Sequence, residues 1–275
     1  MKLITIGLPV YNADIYLYDT IESILNQSFS DFQLLIIDDG SNDNSIKIIK
    51  SFSDSRIELI QDGQNKGLSY RLNQIAKLSK TKYIARMDAD DIMHPQKIEK
   101  QIEIMESHPE IDVLGTNAYS INEINMVEGI RLSFSNNEVL RKVNSFIHPT
   151  IIARKEWFIN NPYDENAIRI EDAELWNRTS NKYNFQILVE PLFFYREFGN
   201  DYYIKYFKGF DAIFYALKKH NYEIKFIKFF LKYYIAGFVY FLYNLIGKEY
   251  VLVRKRNAIR LNNLSIDEVL KSGNQ

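Results

Sequence analysis

Three carboxylates fall within four residues at Asp88-Ala89-Asp90-Asp91. Like charges this close raise one another's pKa unless a cation sits among them. Carboxylate oxygens are the ligands that Mg2+ and Mn2+ favour, and such ions keep positions open for phosphate oxygens. The competing reading is an acidic loop that caps the helix opening at Pro95. A second acidic pair, Glu171-Asp172, stands 80 residues further on, where the helix dipole favours negative charge in a first turn. Asp38-Asp39-Gly40-Ser41 is a third cluster, for which a helix-starting turn is the lesser reading.

These clusters share a location. Leu3 to Val10, Phe32 to Ile37, Ile57 to Gln61 and Tyr83 to Met87 are short apolar runs of strand character, and each ends in polar or acidic residues. Helical patterns separate them: Ile15, Leu17, Ile21, Ile24 and Leu25 after the first, and Ile46, Ile48 and Ile49 behind Ser45 after the second. Another runs to about Leu78, and a fourth runs from Pro95 through Met105. Such alternation predicts a mainly parallel sheet with helices on both faces, an α/β Rossmann-type arrangement. Ligands of such sheets bind beyond the carboxyl ends of the strands, where the acidic clusters fall. Val113 to Ala118 reads as a fifth strand, Asn122 to Ile130 as an excursion or hairpin, and Lys155 to Ile159 as a helix.

Composition narrows the possibilities. A hydrophobic fraction of 46% with 25% charged residues is that of a globular protein. The chain has no cysteine, which excludes disulfides and thiolate zinc sites and is compatible with a reducing compartment. Met1 to Val10 runs directly into strand-like sequence rather than a signal peptide, so export is not expected.

In order and spacing, the motifs resemble the family 2 glycosyltransferases of the GT-A fold over roughly residues 1 to 200. The matching stretches are Pro9-Val10-Tyr11-Asn12, Ser23-Ile24-Leu25-Asn26-Gln27, Ile36-Ile37-Asp38-Asp39-Gly40-Ser41 and Asn65-Lys66-Gly67-Leu68. They continue with Tyr83-Ile84-Ala85-Arg86-Met87-Asp88-Ala89-Asp90-Asp91 and with Glu171-Asp172 before Leu175-Trp176-Asn177-Arg178. The resemblance implies an inverting, metal-dependent transfer of a sugar from a nucleotide-sugar to a hydroxyl. A UDP-hexose or UDP-N-acetylhexosamine would be the donor, and a glycan or lipid-linked intermediate of surface polysaccharide the acceptor. Pro9, Tyr11 and Asp39, with Asn12 beside them, would line the nucleobase pocket; an aromatic face and a carboxylate acceptor suit a pyrimidine bearing a ring N–H. Asn65 and Gly67 would lie in the loop closing over the nucleotide, and Asp88 and Ala89 would approach the ribose and sugar. Asp90 and Asp91 would hold Mn2+ or Mg2+ against the diphosphate. Asp172, with Glu171 the weaker candidate, would accept the proton of the attacking hydroxyl; one carboxylate suffices for a single displacement. His148 is placed by the resemblance near the phosphates or acceptor, although a satisfied structural histidine is an equal reading. Arg178 is expected to pair with Glu171 or Glu174. The Q-x-x-R-W signature of processive members is absent, which points to transfer of one sugar.

The charge is divided along the chain. Residues 202 to 275 carry 13 Lys and Arg against 5 Asp and Glu, a net of +8, which leaves −9 for residues 1 to 201 within the whole-chain −1. Residues 201 to 275 are therefore expected to form a basic, aromatic, helical appendage to a catalytic domain of residues 1 to 200. Its apolar stretch Tyr233 to Ile246 is 14 residues, shorter than the ~20 a spanning helix needs. Tyr and Phe beside Lys and Arg suit an interfacial helix on an anionic membrane, peripheral at the inner face of the cell membrane. The alternative is packing against the core or a second subunit as a homo-oligomer. No nucleic-acid motif is present. Two other functions compete: a nucleotidyltransferase, which would need a glycine-rich basic loop where Leu8 to Asn12 stands, and a non-catalytic nucleotide-binding membrane adaptor.

Overall fold

The computed structural model describes residues 2–131, 139–197 and 202–272. The expected boundary near residue 200 lies outside the described residues. Strands β1 (Ile4–Val10), β2 (Phe32–Asp38), β3 (Ile57–Gln61) and β4 (Tyr83–Arg86) form a parallel block in the order β3-β2-β1-β4. Helices α1 (Leu17–Leu25), α2 (Ser45–Ser51) and α3 (Leu68–Leu78) connect them. All seven residues of β1 are buried, as a strand covered on both faces requires. The core face of α1 is Leu17, Ile21 and Ile24, at helical spacing, whereas Ile15 precedes the helix and is 79% exposed.

Beyond β4 the sheet turns mixed. A two-residue β5 (Ile92–Met93) and α4 (Lys97–Ser107) lead to β6 (Val113–Ile121), which makes a hairpin with β7 (Met126–Ile130). After β8 (Leu140–Lys142) and a single 3-10 turn at His148–Thr150, β9 (Ile152–Arg154) enters antiparallel between β4 and β6. Helices α5 (Lys155–Asn160) and α6 (Glu171–Thr179) precede β10 (Phe185–Arg196), which pairs with β5, β6 and β8. Its 12 residues alternate too weakly to read as a strand because both faces are largely covered, with Leu192, Phe193 and Phe194 consecutive in the core.

The C-terminal part is neither all helix nor a loose extension. Helices α7 (Tyr202–Lys208), α8 (Phe210–Lys219), α9 (Ile224–Leu245) and α10 (Glu249–Arg254) are followed by β11 (Ile259–Ser265) and α11 (Ile266–Ser272). Strand β11 pairs antiparallel with β7 and so returns the tail to the edge of the main sheet. Helix α9 is longer than its apolar stretch. At 22 residues it extends about 33 Å at 1.5 Å per residue. Among the described residues it is the one helix long and apolar enough to cross a membrane by length and composition. Phe226, Gly237 and Tyr240 are buried against the protein, while Leu231, Tyr234, Ile235, Phe238, Leu242 and Leu245 are exposed.

Candidate active site

Two adjoining cavities open at the carboxyl ends of the parallel strands. The first, about 420 Å3, is lined by Pro9 and Tyr11 after β1, Asp39 after β2, Asn65 and Gly67 before α3, and Arg169 and Glu171 at α6. Tyr11 exposes its ring, at 51% of its surface, and Asp39 is buried at 5%. Asp39 Oδ1 accepts the Lys66 N–H at 2.7 Å and Arg71 Nε at 2.7 Å, and Oδ2 accepts the Gly67 N–H at 3.0 Å. A carboxylate has about four lone-pair sites, so about one remains for a ring N–H. Arg71, fully buried, also binds Asp62 at 2.7 and 3.0 Å and the Gln64 carbonyl, and thereby clamps the loop 62–67 onto Asp39. Gly40 lets the loop approach: at φ +78° its added Cβ would lie 2.9 Å from the Gln64 backbone.

Asn12 lines neither cavity. Its amide oxygen accepts the Asn42 N–H at 2.9 Å and its own N–H donates to Ser41 Oγ at 3.0 Å, so it fastens the end of β1 to the turn after β2.

The second cavity, about 500 Å3, contains Asp88, Asp90, Glu171 and Asp172 together with Arg86 and His148. The two distant acidic motifs therefore converge. Arg86, 2% exposed at the end of β4, donates from Nε to Asp88 Oδ1 at 3.1 Å and from Nη1 to Asp172 Oδ1. His148 also bridges them, with Nε2 at 3.2 Å from Asp88 Oδ2 and Nδ1 at 3.4 Å from Asp172 Oδ2. Burial pushes the Asp88 carboxyl up, but Arg86 and His148 outweigh it and hold the pKa below the ordinary carboxylate range. Glu171 is shifted upward, by burial and then by the Asp172 charge. Asp90 is exposed and forms no salt bridge among the described residues. Its pKa is raised by desolvation and then by Asp88, the condition that a bound cation would relieve.

Asp91 and Ala89, expected in the site, face elsewhere. Asp91 is 1% exposed; its Oδ1 accepts the Arg196 N–H at 2.7 Å at the end of β10, and its Oδ2 has no hydrogen-bond partner among the described residues. Ala89 packs on the core under β1 and gives its carbonyl to Thr20 Oγ1 at 3.1 Å. Arg178 pairs with Glu174, 3.0 Å apart one helical turn away.

Residues that the motifs did not mark complete the walls. Tyr202, Lys205 and Tyr206 of α7, Tyr233 of α9 and Arg256 after α10 line the second cavity. Arg256 and Arg131 both pair with Glu197, which is 5% exposed, and this joins the tail to the end of β10. The sequence signal for these groups was the basic excess after residue 202, which read as a surface rather than as a wall of the site.

Both cavities stand at the carboxyl ends of the parallel block, where ligands of α/β sheets bind, and acidic side chains line them. The sequence profile described as glycosyl transferase family 2 matches residues 5–165, and the chain belongs to that family. The O-antigen biosynthesis glycosyltransferase WbnJ of Escherichia coli is 32% identical over 189 residues, which are 66% of this chain and 73% of that protein. Crystalline S. aureus TarS residues 1–349 in complex with UDP superposes with a TM-score of 0.60 at 18% identity, over 78% of this chain and 65% of that one. The mannosyltransferase PcManGT from Pyrobaculum calidifontis, in complex with GDP-Man and Mn2+, gives a TM-score of 0.59 at 11% identity, over 80% and 64%. The fold is that of the GT-A glycosyltransferases, with C-terminal helices added.

Proposed function

We propose that the chain transfers one sugar, with inversion, from a nucleotide-sugar to a hydroxyl of a glycan or lipid-linked acceptor in surface polysaccharide synthesis. The observation that carries this reading is that the two cavities share Leu68, Arg169 and Glu171, so one elongated ligand can occupy both. The nucleoside would lie against Tyr11 and Asp39, and the sugar beside Asp88, Asp90 and Asp172. A UDP-hexose or UDP-N-acetylhexosamine suits the single acceptor position left on Asp39, and TarS crystallises with UDP. The O-antigen role of WbnJ supports the acceptor class.

Mn2+ or Mg2+ fits the exposed Asp90 with Asp88 behind it, and PcManGT carries Mn2+. When bound, the cation would stabilise charge on the departing diphosphate. Asp91, with one oxygen engaged by the Arg196 N–H, fixes the turn that presents Asp90. Arg86 and His148 hold Asp172 oriented, so that it can take the acceptor proton while the hydroxyl oxygen attacks the anomeric carbon. The attack comes from the face opposite the leaving group, and inversion follows. The exposed stripe of α9, with Lys228, Lys232, Lys248, Arg254 and Lys255 exposed around it, would lie on an anionic membrane. The packing of Phe226, Gly237 and Tyr240 against the body suits a peripheral rather than a spanning helix.

The test is thermal stabilisation and nucleoside diphosphate release with UDP-, GDP- and dTDP-sugars, with and without Mn2+. Asp172→Asn should keep donor binding and lose ~10²-fold or more in turnover. That pattern in Glu171→Gln alone would move the proton acceptor to Glu171. Full activity of Asp90→Ala in EDTA would refute the metal role.

A further inference from the structure

The cations of the second cavity are not equivalent. Arg86 is engaged by Asp88 and Asp172, and Arg256 by Glu197. Arg196 is engaged by the Asp90 and Asn122 carbonyls and by Asn125 Oδ1, at 2.6 to 2.8 Å. Arg169 and Lys205 are the exceptions. Both are exposed, both line the cavity, and neither has a carboxylate partner among the described residues. The Lys205 ammonium stands 4.3 Å from the centre of the Tyr202 ring.

Their placement is built rather than incidental. Arg169 sits at φ +71°, a backbone conformation that costs a non-glycine residue roughly 1 to 3 kcal/mol. Its neighbours hold it there: Ala167 and Ile170 are buried in a cluster with Ala212, Ile213 and Phe226, and the Ile170 N–H donates to the Ala167 carbonyl at 3.0 Å. Arg169 lines both cavities, so it stands at the seam a ligand must cross between them. The Lys205 carbonyl accepts Tyr233 Oη at 3.2 Å, and Tyr233 in turn fills the space beside Gly209, where a Cβ would meet its hydroxyl at 2.4 Å. Partial desolvation by the cavity walls, then the Arg256 charge, pulls the Lys205 pKa down, a shift that an incoming anion would reverse.

We propose that Arg169 and the tail-borne Lys205 form a diphosphate-binding pair, which makes the C-terminal helices part of the substrate site. The proposal rests on the transferase reading above. Both a nucleotide-sugar and a lipid-linked acceptor can carry a diphosphate, so the probes separate these sources. Calorimetric titration of the full chain with Mn2+ present would use UDP, uridine, inorganic pyrophosphate and farnesyl diphosphate, on the wild type, Arg169→Gln and Lys205→Gln. A charge-assisted hydrogen bond lost from a phosphate should weaken binding about tenfold or more. Loss for UDP and pyrophosphate with uridine unchanged assigns the pair to the donor. Loss for farnesyl diphosphate with UDP unchanged assigns it to the acceptor. Lys205→Arg should restore most of the affinity, and unchanged melting temperatures would exclude misfolding. Diphosphate affinities equal in all forms, or a uridine loss as large as the UDP loss, would overturn the pair while leaving the transferase reading intact. A wild type that binds none of the three diphosphates would overturn both.

Discussion

Arg86→Gln tests whether the two acidic motifs act as one electrostatic unit. Arg86 is 2% exposed and is the shared cation of Asp88 and Asp172, with His148 as the second link between them. Two unit charges about 4 Å apart interact by ~4 kcal/mol at an effective dielectric of about 20. Removing the guanidinium therefore withdraws that attraction from Asp88, whose carboxyl it holds below the ordinary carboxylate range, and leaves Asp88 and Asp172 to repel one another. Charging of His148, which faces both carboxylates, offsets part of this. The acid limb of kcat/KM against pH should therefore move upward in Arg86→Gln and very little in Arg86→Lys. Breaking a buried pair also destabilises by ~3 to 5 kcal/mol, so urea denaturation accompanies the rate measurements. An acid limb that stays within about 0.3 units of the wild type, in a folded Arg86→Gln protein, would refute the coupling.

Two further outcomes follow from the packing and the charge distribution. Lys97 is fully buried, its ammonium bonds only Gln101 Oε1 at 2.8 Å among the described residues, and burial pulls its pKa down to about 7. Between about pH 7 and 10.5 the native side chain is neutral while the unfolded one is charged, so wild-type stability should rise with pH across that window by up to ~1.4 kcal/mol per unit. Lys97→Met should lack that rise and be more stable at pH 7 by ~2 to 4 kcal/mol, after ~1 to 3 kcal/mol for the unpaired Gln101 oxygen. Urea titrations at pH 7 and 9 decide it, and equal slopes in the two proteins would contradict the buried ammonium. Co-sedimentation of the full chain with vesicles should be stronger on anionic than neutral lipid and weakened but not abolished by salt. The double variant Leu231→Ser, Ile235→Ser should lose the salt-resistant part, whereas unchanged pelleting, or no pelleting of the wild type, would assign the stripe to a protein contact.

The first half of the fold was legible because its strands are fully covered. Apolar runs such as Ile4–Val10 and Phe32–Asp38 separated by amphipathic helices admit few arrangements, and the acidic clusters do fall at the carboxyl rim. Legibility failed where strands are short or follow no simple period. The two residues of β5 and three of β9 carry no periodic signal, yet β9 is what joins β4 to β6. Strand β11 was absorbed into a tail read as helical, because its pairing with β7 spans more than 120 residues of sequence.

Within the site, residue types were readable but side-chain directions were not. Asp88, Asp90 and Asp91 are nearly adjacent, and only the backbone turn decides that the first two reach the cavity while Asp91 holds the Arg196 N–H. Arg71 stood unremarked in an ordinary helical stretch, although its guanidinium reaches Asp39, Asp62 and Gln64 and so holds the loop 62–67. The basic excess of the tail was visible as a sum of charges, but a sum does not distinguish Lys228 and Lys232, exposed on α9, from Lys205 and Arg256, which line the second cavity. Charge counting therefore could not say where along the tail its positive charge would lie in the fold. Part of that positive charge lies within the cavity that holds the acidic motifs, where a diphosphate would meet it before any membrane does.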